Sequence, residues 1–159
     1  MPYRAFPPLV YDGAKILILG TFPSPLSREK GEYYGNPRNI FWRVVFGAFG
    51  KEFNEPDYGE KKKLTRDNGI AVWDVIESCE ITGALDKNIR EPVYNCALPG
   101  FIKDNGIKRV LFNGTASHKL FRRGIGEPGT EFFILPSTSP ANAGTSYEKK
   151  FEAWKRALS

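Results

Sequence analysis

The sequence is poor in the side chains that bind metals. Its 159 residues contain two cysteines, Cys79 and Cys96, and one histidine, His118. Two thiols cannot supply the four ligands of an iron–sulfur cluster, and a zinc or iron site needs several thiolate or imidazole ligands. We therefore expect neither a metal nor a cofactor, and we expect both thiols to be reduced, as intracellular thiols normally are.

The sequence also lacks long apolar runs. Its first residues, MPYRAFPPLVYDG, have neither the basic start nor the apolar middle of a signal peptide. We therefore expect a cytoplasmic protein without membrane contact. The phosphate-binding loop G-x-x-x-x-G-K-[ST] is missing as well, which weakens one common nucleotide-binding alternative.

The charge that is present is basic overall. Lysine and arginine number 23 against 18 aspartate and glutamate residues, a formal net charge of +5. A basic balance favours a polyanionic partner such as DNA or RNA, although many basic domains bind no nucleic acid. The length suits one domain, residues 1–159, without repeats or linkers.

Four short apolar runs alternate with stretches of helical periodicity. The runs are residues 15–20, 70–75, 109–114 and 131–136, and the helical stretches are residues 39–49, 98–105, 115–123 and 146–158. Continuous apolar strands are typical of a sheet that is buried on both faces. The pattern predicts an α/β fold of three α/β/α layers around a central, mainly parallel four-stranded sheet.

Polar and aromatic residues follow the predicted strands. GTFPS follows the first strand, Asp74 lies near the end of the second, NGT ends the third, and LPSTSPANAG ends the fourth. Ligands of open parallel sheets bind beyond the carboxyl ends of the strands. We therefore expect these segments, together with the aromatic loop EYYGNPRNIFW, to meet at one crevice.

The combination of LGTFPS, YYGNPRNIFW and the late LPSTSPANA resembles the uracil-DNA glycosylase superfamily, and within it the hypoxanthine-DNA (deoxyinosine) glycosylase branch. The resemblance covers most of the chain. It implies an enzyme that flips a deaminated base out of DNA and hydrolyses its N-glycosidic bond without metal or cofactor. No lysine occupies a matching position for a Schiff base, so we expect a monofunctional enzyme that uses water and works as a monomer.

The resemblance also assigns the base pocket. Gly20, Thr21 and Phe22 would line its floor, and Tyr34 would stack on the base. Asp74 would read the base edge where uracil-specific members have an asparagine; if ionised, it offers only acceptors. Asn113 is a further candidate for the base pocket.

Catalysis is implied for Asn39. Many superfamily members carry Asp or Asn within the first motif to place the attacking water, but this sequence has Phe22 there. In the hypoxanthine branch an amide at the start of the first helix takes over, and that residue is Asn39. Such an amide acts by positioning and electrostatics, because it cannot remove a proton at neutral pH.

The loop before the last helix would contact DNA phosphates. We name residues 137–142 the hydroxyl loop; its members are Ser137, Thr138, Ser139, Pro140, Ala141 and Asn142. The resemblance gives this loop the role of gripping phosphates and pushing into the duplex.

Plainer interpretations remain open for these residues. Asn39 is well placed to cap a helix, Asp74 to cap a loop, and Asn113 to form a turn before a glycine. Alternative activities are a uracil or mismatch thymine/uracil-DNA glycosylase, a nucleoside hydrolase on the same fold, and a catalytically silent nucleic-acid-binding module.

Overall fold

The central sheet of the computed structural model has the predicted form. The structure describes residues 2–83 and 85–159, so Met1 and Ala84 of the predicted 1–159 domain lie outside the described residues. Four strands pair in the order β3-β2-β6-β7, and every pairing is parallel. They are β2 (Ile16–Gly20), β3 (Ile70–Asp74), β6 (Arg109–Asn113) and β7 (Glu131–Leu135).

Helices cover both faces of this sheet, which confirms the three layers. One face packs against α2 (Phe41–Ala48), α3 (Tyr58–Asp67) and α6 (Tyr147–Leu158). The opposite face packs against α4 (Leu98–Asp104) and α5 (Thr115–Gly124). In β2, Ile18 joins the first core while its neighbours Leu17 and Leu19 join the second, and all three are fully buried. The continuous apolar character of the strand follows from this double burial.

A second sheet was not predicted from the sequence. It is antiparallel, with the order β1-β4-β5, and consists of β1 (Tyr3–Arg4), β4 (Ile76–Glu80) and β5 (Arg90–Tyr94). Its strands are short and mixed in polarity, and β5 contains Pro92, which is tolerated at a sheet edge. A short helix α1 (Pro25–Lys30) and a 3-10 turn (Asp86–Asn88) complete the fold. No helix in the described ranges has the length and apolar character to cross a membrane.

Two buried tryptophans attach the loops at the carboxyl edge of the sheet to the core. The Trp42 indole Nε1 donates to the Tyr33 carbonyl at 2.8 Å, and the Trp154 Nε1 donates to the Pro136 carbonyl at 2.9 Å. Both rings are almost fully buried and both pack edge-on against Phe41. The aromatic loop and the hydroxyl loop are therefore held by the same hydrophobic cluster.

We predict that Trp42→Phe lowers the free energy of unfolding by about 2–4 kcal/mol, because it leaves a cavity and deprives the buried Tyr33 carbonyl of its donor. Denaturant unfolding followed by circular dichroism measures this change. The matched control is Trp73→Phe, since the half-buried Trp73 makes the same kind of bond, to the Phe6 carbonyl at 3.1 Å. Trp73→Phe should lower the free energy of unfolding by less than Trp42→Phe does. Equal decreases for the two variants would contradict the prediction.

Candidate active site

One cavity of about 560 Å³ opens at the carboxyl ends of the parallel strands. All of the residues that the sequence singled out line it together. They are Gly20, Thr21, Phe22, Tyr34, Asn39, Asp74, Asn113, Ser137, Thr138, Ser139, Pro140, Ala141 and Asn142. The expected common crevice is present, and the role of each residue stays a prediction.

Tyr34 is held in an unusual conformation at this cavity. Its backbone has φ +54°, the left-handed region that a non-glycine residue adopts only when its surroundings enforce it. Its ring stacks on the buried Phe41 ring with centroids 3.9 Å apart, so the opposite ring face is the one left for a planar ligand. The neighbouring Tyr33 is a buried core residue, and its hydroxyl donates to the Pro7 carbonyl at 2.7 Å.

Gly20 lies where two polar side chains converge. It is the register partner of Asp74 in the β2–β3 pairing. A Cβ added to Gly20 would lie 2.8 Å from Asp74 Oδ1 and 2.8 Å from the Tyr34 hydroxyl oxygen, closer than real side chains approach. A side chain at this position would therefore have to displace the carboxyl or the phenol, which occupy the space above the Gly20 Cα.

The Asp74 carboxyl is buried without compensation. The residue is 4% exposed, and its Oδ2 has no hydrogen-bond partner among the described residues. Burial, and to a lesser degree the negative charge of Asp86, raise the pKa of Asp74 to about 7. The expectation of an acceptor-only carboxylate holds only above this pH, because near neutrality the group is partly protonated and also carries a donor.

Asp86 is a cavity residue that the sequence did not reveal. It begins the 3-10 turn that connects β4 to β5 of the second sheet, and its Oδ2 accepts from the Thr21 hydroxyl at 3.2 Å. The residue as a whole is exposed, but its carboxyl lies against Thr21. Burial of this carboxyl raises its pKa, and the hydrogen bond from Thr21 opposes part of the rise. No local pattern marks a single aspartate in DKN, since only the tertiary fold brings it to Asp74.

The Asn39 amide has one occupied end and one free end. Its Oδ1 accepts from the Phe41 backbone N–H at 2.9 Å, just where α2 begins. Its Nδ2 donates to no group in the described part of the chain, and the residue lines the cavity. The N-cap residue of α2 is Ile40, without a side-chain cap, so the Asn39 oxygen closes a turn one residue before the cap, while the amino group can donate to a ligand.

Asn113 and Thr138 fasten the hydroxyl loop to the sheet. Asn113 Nδ2 donates to the Thr138 hydroxyl at 2.9 Å, and its Oδ1 accepts from the Thr138 backbone N–H at 3.0 Å. The Thr138 carbonyl in turn accepts from Ile40 N at 3.2 Å, which links this loop to the entry of α2. Thr138 is 1% exposed. These two residues therefore position the loop, and the exposed part of the loop has to make any phosphate contact.

The rest of the hydroxyl loop is also prefolded. Asn142 Nδ2 donates to the Ser137 carbonyl at 3.1 Å, and the Ser139 hydroxyl accepts from Ala141 N at 3.2 Å. Lys150 of α6 is buried, and its ammonium donates to the Asn142 carbonyl at 2.5 Å. Burial lowers the pKa of Lys150. No local pattern in α6 indicates that one of its lysines contacts this loop.

Further polar residues complete the lining, namely Ser24, Ser27, Asn36, Thr115 and Thr145. Neither lysine nor arginine lines the cavity within residues 2–83 and 85–159. The same residues contain no group of three or more His, Cys, Asp or Glu side chains that could hold a metal ion. The polar groups that line the cavity are therefore carboxyl, amide, hydroxyl and phenol groups.

Comparison with known proteins finds relatives over nearly the whole chain. A family model described as the uracil DNA glycosylase superfamily matches residues 7–158. Two proteins named hypoxanthine DNA glycosylase are similar: one from Methanosarcina acetivorans, 34% identical over 94% of each chain, and one from Methanosarcina barkeri, 33% identical over 98% of this chain and 100% of its own. The solution NMR structure of a candidate uracil DNA glycosylase from Methanosarcina acetivorans matches with a TM-score of 0.79 and 33% identity, over 99% of this chain and 97% of its own.

The buried carboxyl predicts a pH-dependent stability. Its folded pKa of about 7 lies above the ordinary value of 3.8, so stability is full below pH 3.8 and is lost as pH rises through about 7. At about 1.4 kcal/mol per pKa unit, the loss reaches at most about 4 kcal/mol.

We therefore predict that Asp74→Asn is more stable than the parent by about 2–4 kcal/mol above neutral pH and differs little near pH 4. Denaturant unfolding of both proteins across this pH range measures the difference. A stability gap that is the same at both ends of the range would contradict the prediction.

Proposed function

The chain belongs to the uracil DNA glycosylase superfamily, and from this premise we propose that it is a DNA glycosylase that removes deaminated bases from DNA, with hypoxanthine favoured. One observation carries the proposal: Tyr34, Asp74 and the free amino group of Asn39 line a single cavity at the carboxyl edge of the sheet. The names of the two Methanosarcina relatives support hypoxanthine as the base.

The cavity suits a base that has left the duplex. Its volume of about 560 Å³ falls within the range of small-molecule pockets. An enzyme cannot reach the glycosidic bond inside stacked DNA, so the nucleotide is rotated outwards, and mispaired or damaged bases leave the stack most easily. In this proposal the flanking phosphates are held by Ser139 to Asn142 of the hydroxyl loop, which line the cavity and of which Ala141 is exposed and the others half-buried.

Two groups hold the flipped base. The free face of the Tyr34 ring stacks on it, a contact worth about 1–3 kcal/mol that tolerates many bases. The Asp74 carboxyl, which occupies space left by the missing Cβ of Gly20, contacts the edge of the base. Phe22, Thr21 and Asn113 enclose the remaining sides.

The chemistry is hydrolysis with water as nucleophile. Asn39 Nδ2 donates to the departing base or, through the second lone pair of Oδ1, orients water towards the sugar carbon. The sugar passes through a cationic transition state while the base takes the bonding electrons. No lysine of the described chain lines the cavity, which supports a monofunctional enzyme that leaves an abasic site.

Other activities have weaker support. A uracil or mismatch thymine glycosylase would use the same fold, and release of each base from lesion-containing oligonucleotides decides among them. A silent binding module has no need for the free Asn39 amino group at the cavity. A nucleoside hydrolase has no need for the basic balance and the exposed hydroxyl loop. We further propose that the protein acts as a monomer in the cytoplasm.

We predict that Asn39→Ala lowers the single-turnover rate of hypoxanthine release from deoxyinosine DNA by about two to three powers of ten, because a preorganised polar contact is lost. The matched variant is Asn39→Asp, which keeps an acceptor for the Phe41 N–H, replaces the amino donor by a second oxygen and adds a negative charge. It should fold as stably as the parent and be similarly slow. Parent-like activity in Asn39→Ala would contradict the mechanism, and a fast Asn39→Asp would identify water activation rather than donation as the role of Asn39.

DNA affinity should depend on salt and on the hydroxyl loop. We predict a log-linear fall of affinity with salt concentration, as phosphate contacts release counterions. Ala141→Glu places a negative charge on the exposed loop and should weaken binding, whereas Gly100→Glu makes the same charge change on exposed α4 outside the cavity and should weaken it less. Fluorescence anisotropy with a lesion duplex measures both. Equal losses of DNA affinity in the two variants would show that the hydroxyl loop does not contact DNA.

A further inference from the structure

We propose that Asp74 works as a neutral carboxylic acid, whose donor and acceptor together bind the lactam edge that deamination creates and stabilise the departing base. This inference rests on the proposed glycosylase activity and deepens it. It assigns to one buried carboxyl both the recognition of deaminated bases and a catalytic contact with the leaving group.

The surroundings of Asp74 favour the neutral form. Its Oδ2 is buried without a hydrogen-bond partner in the described chain, and the cavity lining there contains neither lysine nor arginine. The titratable groups that face it are the Asp86 carboxyl and the phenols of Tyr33 and Tyr34, none of which supplies positive charge. An ionised Asp74 would be an uncompensated buried charge beside another carboxylate, whereas protonation removes the penalty. The raised pKa of Asp74, about 7, agrees with this environment.

A neutral carboxyl matches the chemistry of deaminated bases. Deamination turns the edge of adenine or cytosine into a lactam, an N–H group beside a C=O group. This edge is N1–H with O6 in hypoxanthine and N3–H with O4 in uracil. The carbonyl of a protonated Asp74 accepts from the N–H while its hydroxyl donates to the C=O, which gives two parallel hydrogen bonds. A carboxylate would accept from the N–H but would face the carbonyl oxygen with a second acceptor.

The same proton helps the reaction. When the bond between C1′ and N9 breaks, its electron pair goes to the base, and negative charge spreads over the ring onto O6. A hydroxyl donor at O6 stabilises this charge more strongly than it stabilises the neutral substrate. Water forms the new bond to C1′ and gives up a proton, and the released base takes up a proton from solvent. Asp74 keeps its proton throughout, whereas an ionised Asp74 would repel the departing anion.

The test is the pH dependence of single-turnover hypoxanthine release from a deoxyinosine oligonucleotide. The parent rate should be level below about pH 7 and fall about tenfold per pH unit above it, as one group ionises. Asp74→Asn keeps a donor and an acceptor but cannot ionise, so its rate, relative to its own value at pH 6, should vary less than about twofold across the range. Asp86→Asn removes the like charge and should move the falling limb to lower pH.

A parent rate that rises through neutral pH would overturn the inference and leave the glycosylase proposal standing, as would an Asp74→Asn profile with the same falling limb as the parent. A parent that releases no base at any pH would overturn both. Carbon-13 NMR titration of the free protein, with Asp74→Asn to assign the resonance, gives a readout that needs no activity. We expect the Asp74 carboxyl to titrate near pH 7. A midpoint near the ordinary value of about 4 would contradict this inference and leave the glycosylase proposal unaffected.

Discussion

The parallel pairing of β2 with β3 is the constraint from which the site follows. Its register sets the last residue of one strand, Gly20, beside the last residue of the other, Asp74. The missing Cβ of Gly20 leaves the space that the Asp74 carboxyl and the Tyr34 phenol fill. Because β6 pairs on the other side of β2, Asn113 ends at the same edge and takes hold of the hydroxyl loop. The residues proposed for base recognition, catalysis and DNA contact therefore lie together because three strands end at the same level.

Rigidity at this edge comes from hydrogen bonds between the core and the loop backbones. The indole donors of Trp42 and Trp154 reach the Tyr33 and Pro136 carbonyls, and Lys150 reaches the Asn142 carbonyl. A loop whose carbonyls are held in this way has little freedom left to lose when a base enters. The left-handed backbone of Tyr34 can persist for the same reason, since such a conformation costs on the order of 1–3 kcal/mol and needs surroundings that enforce it. Preorganisation of this kind is what the role proposed for Asn39 requires, because an amide acts by positioning and not as a strong base.

The sequence predicted the parts of the molecule that local patterns encode. The apolar runs correctly predicted β2, β3, β6 and β7. The tendency of ligands to bind at the carboxyl ends of parallel strands, together with the family resemblance, predicted which residues line the cavity, including Asn39. Local patterns do not encode β4 and β5, which are polar, short and stabilised by each other. For the same reason Asp86 was missed, because its meeting with Asp74 depends on the path of that second sheet. The buried state of Thr138 and Lys150 also depends on packing between distant segments.

The protonation of Asp74 is the property that could least be predicted from the sequence, and it makes an aspartate at this position behave differently from an asparagine. An amide offers a donor and an acceptor at every pH, whereas a carboxyl offers both only while it keeps its proton. Burial of the carboxyl and the negative charge of Asp86 raise the pKa of Asp74 to about 7, so the group is partly protonated near neutral pH. The Thr21 bond to Asp86 holds this second carboxyl in place, so the floor of the pocket sets the charge state of the group that meets the base. Asp86, which belongs to no recognisable motif, thus raises the pKa of Asp74, which belongs to one.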